Sequence, residues 1–152
     1  MIKAKLELAK GNKEGAIEAM RGAVELQPDI GEMHFRLATF LAQQGELIEA
    51  DEEFQKAEKL GRVLVFDENE LAGNYFIDAG DFPRAIFYYE KALAINSGDG
   101  DVKIKLAIAY YYSDQKEKAK ELIKQLQQIY DLKNLSQYEA IQPMVRDLGL
   151  EN

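Results

Sequence analysis

A single imidazole, His34, and no cysteine are what this chain of 152 residues offers to acid–base or nucleophilic chemistry. A Ser–His–Asp triad or a Cys–His pair therefore has almost no freedom to assemble. His34 falls on the inner part of an apolar helix face, which predicts a core or groove-edge role. The carboxylates Asp78 and Asp81 flank a turn, and Ser97-Gly98-Asp99-Gly100-Asp101 is polar. Neither stretch follows the twelve-residue calcium loop, so both read as turn chemistry. No glycine-rich phosphate cradle is present. Asn134-Leu135-Ser136 fits a glycosylation acceptor, a tripeptide common by chance. The residues point away from an enzyme: no catalytic residue, no metal and no cofactor is expected.

The elements that position the side chains repeat. Gly80 to Asn96 (GDFPRAIFYYEKALAIN) is a turn, a proline near the helix start, and an apolar stripe on Ala85, Ile86, Tyr89, Ala92 and Leu93. The same pattern recurs from Gly11, from Gly45 and from Asp114. Its small residue sits at Ala16, Ala50, Ala85 and Ala119, at spacings of 34, 35 and 34. A fixed period of that length marks an array of repeated helix pairs.

Composition narrows the partner. A formal net charge of −8 argues against a nucleic-acid backbone as the main ligand. No segment has the apolar length of a membrane span, so direct membrane insertion is not expected. The residues after Met1 hold no secretory apolar core, and the compartment stays open: cytoplasmic by default, extracytoplasmic if the chain is cut from a longer membrane-anchored protein. Nine acidic residues between Glu46 and Glu70 oppose six lysines between Lys103 and Lys124. These read as solvated helix faces, with head-to-tail self-association as the sharper alternative.

In chain order, one domain holds repeats over about 1–29, 30–63, 64–98 and 99–131, with a capping helix over 135–148. The opening helix, Met1 to Lys10, is about half length, and the expectation is a chain cut from something longer. The link Gly61 to Phe66 (GRVLVF) is apolar, so Val63, Leu64 and Val65 are expected to pack between repeats. Asp114 replaces the turn glycine and predicts a looser turn. Ser136 and Glu139 form a capping box, and Pro143 is expected to kink or divide the last helix.

These residues resemble the tetratricopeptide repeat family. The third unit carries Gly73, Gly80-Asp81, Ala85, Tyr89 and Ala92; the second carries Ala38, Gly45, Ala50, Phe54 and Ala57. The first has Gly11, Ala16, Met20, Ala23 and Pro28, and the fourth Ala107, Ala119, Ile123 and Leu126. His34, Asn69 and Lys103 depart from the pattern, standing where the family often has a large aromatic. The resemblance implies an all-α, right-handed α-solenoid of antiparallel helix pairs, with a concave side lined by the first helix of each pair.

Helical periodicity then places Phe35, Arg36, Thr39 and Gln43, next Glu70, Leu71, Asn74, Ile77 and Asp78, and last Ile104, Lys105, Ile108, Tyr111 and Tyr112 in that groove. Some family members clamp a partner's C-terminal carboxylate there. Only Asn74, Arg36 and Lys105 match such donors, so a clamp is not expected. The first helix of the fourth repeat is apolar on nearly every side, so something must cover it: the terminal helix, or an apolar or amphipathic peptide. Phe87, beside Tyr88, stands where three repeats have Glu (Glu18, Glu52, Glu121) and suggests a convex contact. The expected role is a non-catalytic module holding a protein or peptide partner. The alternatives are a self-assembling homo-oligomeric scaffold and an appended domain of a larger enzyme or membrane protein.

Overall fold

The computed structural model describes residues 2–129, 131 and 138–151. They form α1 (Ile2–Ala9), α2 (Lys13–Glu25), α3 (Gly31–Gln43), α4 (Leu47–Lys59), α5 (Phe66–Asp78), α6 (Phe82–Ile95), α7 (Gly100–Tyr112), α8 (Lys116–Ile129) and α9 (Tyr138–Asp147). No strand occurs among the described residues. None of the helices is long and apolar enough to cross a membrane.

Two compact units hold these elements. The first, Met1–Leu64, contains α1 to α4; the second, Val65–Asn152, contains α5 to α9. In both, consecutive helices pair across short turns, α1 with α2, α3 with α4, α5 with α6 and α7 with α8. The pairs are held by one recurring set of positions. Ala16 and Met20, Ala50, Phe54 and Ala57, Ala85, Tyr89 and Ala92, and Ala119, Ile123 and Leu126 are all buried. Small residues let the helices approach, and the large one fills the space they leave.

Turn chemistry sets each helix end. Gly11, Gly45 and Gly80 lie in the left-handed region at φ 75°, 82° and 75°, and Asp114 joins them at φ 62°. After each, an amide reaches the carbonyl five residues earlier: Asn12 to Glu7 at 2.9 Å, Glu46 to Leu41 at 2.9 Å, Asp81 to Phe76 at 2.8 Å and Gln115 to Tyr110 at 2.8 Å. This is the Schellman closure. The looser turn expected at Asp114 is not formed, because Asp takes the same conformation and closes the same bond despite its Cβ. Side chains start the following helices: Asn12 Oδ1 accepts from the Gly15 amide, Asp81 Oδ1 from Arg84 and Asp99 Oδ1 from Val102.

Two further expectations are corrected. In the link after α4 only Leu64 is buried, while Val63 and Val65 are 77% and 55% exposed. An extended stretch turns alternate side chains to opposite sides, so the three cannot pack together. Of the two outcomes expected at Pro143, a kink or a division, the division does not occur, and the helix runs on through the proline. An interior proline removes one helical bond and costs about 3 kcal/mol. Burial of Ile141, Met144, Val145 and Leu148, at the spacing of one helix stripe, offsets that cost. The Ser136–Glu139 capping box and the Asn134-Leu135-Ser136 acceptor fall outside the described residues.

The helix that follows a pair ordinarily lies on the pair's second helix, as α3 lies on α2 and α7 on α6. In contrast, α9 lies chiefly against α7, the first helix of its pair.

Candidate interaction surfaces

In the first unit, α1, α2 and α3 enclose a cleft of about 270 Å³ lined by Ala4, Lys5, Met20, Phe35, Arg36, Thr39, Phe40 and Gln43. Ala4 and Met20 are buried and form its floor. The Phe35 ring lies 5.8 Å from that of Phe54, with the Arg62 guanidinium 4.5 Å from its centre. Thr39 Oγ1 donates to the Phe35 carbonyl at 3.0 Å, which satisfies the hydroxyl within the helix. Arg36 Nε donates to Glu32 Oε1 at 2.7 Å, and Arg62 Nε to Glu32 Oε2 at 3.0 Å. Hydrogen bonds from Arg36 and then Arg62 hold the Glu32 carboxyl below the ordinary carboxylate range. The lining itself carries two cationic side chains and no carboxylate, in a chain whose net charge is −8.

Phe35, Arg36, Thr39 and Gln43 therefore line one cleft. Ala4, Lys5, Met20 and Phe40 join them without having been placed there by periodicity. The short α1 hid Ala4 and Lys5, and Met20 stands at a repeat core position, where large side chains are assigned to packing.

In the second unit the polar candidates are tied to one another. Lys105 Nζ meets Glu70 Oε1 at 2.6 Å, linking α7 to α5. Asn74 Oδ1 accepts from the Tyr89 hydroxyl at 2.9 Å. With Arg36 on Glu32, all three donors once considered for a carboxylate clamp have partners within their own unit. Leu71 is partly exposed and Ile108 half-buried. Tyr112 is 63% exposed, stacked on Phe82 at 5.3 Å and in edge contact with Tyr111.

Ile104, expected in the groove, is fully buried. The reason is that α7 packs against α6, α8 and α9, so little of its circumference remains open. Tyr88, expected at a convex contact, is also fully buried, its ring stacked on Phe76 at 5.4 Å. Phe87 alone stays on the surface, 45% exposed, with Lys91 Nζ 5.1 Å from its ring centre.

At the other end of α7, Tyr111 donates its hydroxyl to Asp147 Oδ2 at 2.9 Å, and Lys116 Nζ meets the same oxygen at 2.8 Å. The hydrogen bonds from Lys116 and Tyr111 hold the Asp147 carboxyl below its ordinary range. The same bond to Asp147 pushes the Tyr111 hydroxyl up. Helical periodicity puts Ile104, Ile108 and Tyr111 on one side of α7, and Tyr111 identifies that side as the one facing α9.

His34, the lone imidazole, is buried with Nδ1 2.5 Å from Glu53 Oε2 and Nε2 2.8 Å from the Pro28 carbonyl. It bridges α3, α4 and the turn before α3, a structural role for a buried polar group. No cluster of three or more metal-ligating side chains occurs among the described residues.

Two tetratricopeptide repeat family models match the chain, over residues 3–62 and 76–141, together more than half of it. No curated protein matches. Among solved structures, the crystal structure of MamA is similar, with a TM-score of 0.69 and 21% identity, over 97% of this chain and 85% of that one. At that identity the likeness shows the fold, an all-α solenoid of helix pairs. Repeat helices, turn closures and family matches agree: the chain belongs to the tetratricopeptide repeat family and is, in general terms, a protein–protein interaction module.

Proposed function

We propose that this module acts without catalysis by holding an apolar or amphipathic peptide segment in the cleft of the first unit. The observation that carries this reading is the lining of that cleft. Phe35, Phe40, Met20 and Ala4 offer apolar surface, while Lys5, Arg36 and Gln43 add polar ends and no carboxylate. Apolar area removed from water drives such binding at roughly 25 cal/mol per Å², and with Arg36 paired to Glu32 it is the Lys5 ammonium that favours a segment with an acidic flank.

The experiment is a selection of helical peptides on the immobilised chain, followed by fluorescence anisotropy with Thr39→Trp. The new indole fills the cleft, and Thr39 makes only a hydrogen bond within its own helix. Selected peptides should be rich in apolar residues with a carboxylate nearby and should lose at least about tenfold in affinity, roughly 1.4 kcal/mol. Unchanged affinity in a variant with unchanged melting removes the cleft as the site.

A further inference from the structure

We propose that the side of α7 beneath α9 is a second interaction surface, one that takes an amphipathic helix from a partner protein, with α9 as the built-in occupant which that helix displaces. The position of α9 motivates this. A helix continuing the array would lie on α8, whereas α9 lies chiefly on α7, on the side that carries Ile104, Ile108 and Tyr111. It is seated there as a ligand would be, through Ile141, Met144, Val145 and Leu148, all buried.

The occupant is intrinsically weak. It has ten residues with a proline inside them, so it forms a helix because it is docked rather than before docking. Its polar attachments are Asp147 to Tyr111 and Lys116, and the Leu150 carbonyl to Gln127 Nε2 at 2.9 Å. The bonds of Asp147 are solvent-exposed, and exposed ion pairs hold little. A helix with apolar residues at i, i+3, i+4 and i+7, a carboxylate at i+6 and no proline would make the same contacts without the backbone penalty. That defines the partner: an uninterrupted amphipathic helix carrying one acidic residue beside its apolar stripe.

The test uses the full chain and a fluorescent synthetic peptide of residues 138–151 bearing Pro143→Ala. Anisotropy should show binding to the wild-type chain. The chain variant Asp147→Lys, which repels Lys116 and loosens α9, should bind the peptide at least about tenfold tighter. The chain variant Pro143→Ala, which strengthens α9 in place, should bind at least about tenfold weaker. Thr39→Trp should leave binding unchanged, which separates this surface from the first-unit cleft. Equal affinity across the wild-type, Asp147→Lys and Pro143→Ala chains, all shown folded by circular dichroism, overturns the proposal. So does loss of binding on Thr39→Trp. A wild-type chain that light scattering finds dimeric, and that Asp147→Lys makes monomeric, overturns it in favour of α9 exchange between two copies.

Discussion

The two units apply one packing rule with different side chains, and their surfaces diverge as a result. In the first, Ala38 and Phe54 occupy the paired positions where the second has Gly73 and Tyr89. Tyrosine is longer than phenylalanine and carries a hydroxyl, which here bonds Asn74. A Cβ on Gly73 would lie 2.5 Å from the Tyr89 ring, so glycine is what makes room. The first unit leaves a cleft open on α1, α2 and α3, whereas the second ties Lys105 to Glu70 and sets α9 on α7. A repeat conserves how helices stack; what each face presents depends on residues outside the stacking positions.

Four measurements would break or sharpen that contrast. The largest effect is expected at the covered face: Ile141→Ala removes a fully buried anchor of α9 and should cost about 2–5 kcal/mol in urea unfolding. A loss below about 1 kcal/mol would mean that α9 contributes little packing. Next, Gly73→Ala should destabilise, since overpacking against the Tyr89 ring costs about 1–3 kcal/mol and outweighs the helix-propensity gain of about 0.5–1 kcal/mol. Combining it with Tyr89→Phe should not restore stability, because the clash is with ring carbons. The reciprocal Ala38→Gly in the first unit should cost about 1 kcal/mol, the propensity difference.

The third measurement is a pH titration. Burial, followed by the Asp78 and Glu70 carboxylates, pushes the Tyr89 hydroxyl far above its ordinary range. A group whose pKa is raised on folding stabilises fully below its unfolded value, near 10 for tyrosine, and loses that contribution as pH rises past it. The wild-type unfolding free energy from urea titrations should therefore fall above about pH 10, by about 1.4 kcal/mol for each pH unit of the window, and Tyr89→Phe should show less of this fall. Phe54, the first unit's counterpart, has no proton to lose. Tyr110, raised by burial and by Glu90, adds to the alkaline sensitivity of the second unit. The smallest effect is at the last turn: Asp114→Gly should stabilise by about 0.5–1 kcal/mol, because glycine reaches φ 62° without the Cβ penalty. No change in melting temperature would show that the Asp side chain compensates locally.

Much of the framework was legible in the residues. The spacing of Ala16, Ala50, Ala85 and Ala119 marks the second helix of every pair, and turn residues bracket α1 to α8 to within a residue or two. The surface was less legible. Periodicity puts Phe35, Arg36 and Thr39 on one helix face, and the structure gathers them into one cleft. Periodicity also puts Ile104 on the inner face and Tyr88 beside the exposed Phe87. Both are buried, because a helix angle says which way a side chain points and not whether another helix lies there. Lys5 was invisible for the converse reason: α1 is short, and only its packing on α2 brings Lys5 to the cleft.

The sequence by itself determined the repeat, its helices and their turns, because these rest on local physics: apolar residues at helical spacing, a proline at the start of α6, and glycine or aspartate where the chain must turn left-handed. Only the tertiary structure decided which apolar faces stay open. That depends on contacts between segments distant in the chain, such as α9 on α7, Asp147 on Tyr111 and Lys105 on Glu70. No local pattern encodes these contacts, because each exists only once both segments have folded and met.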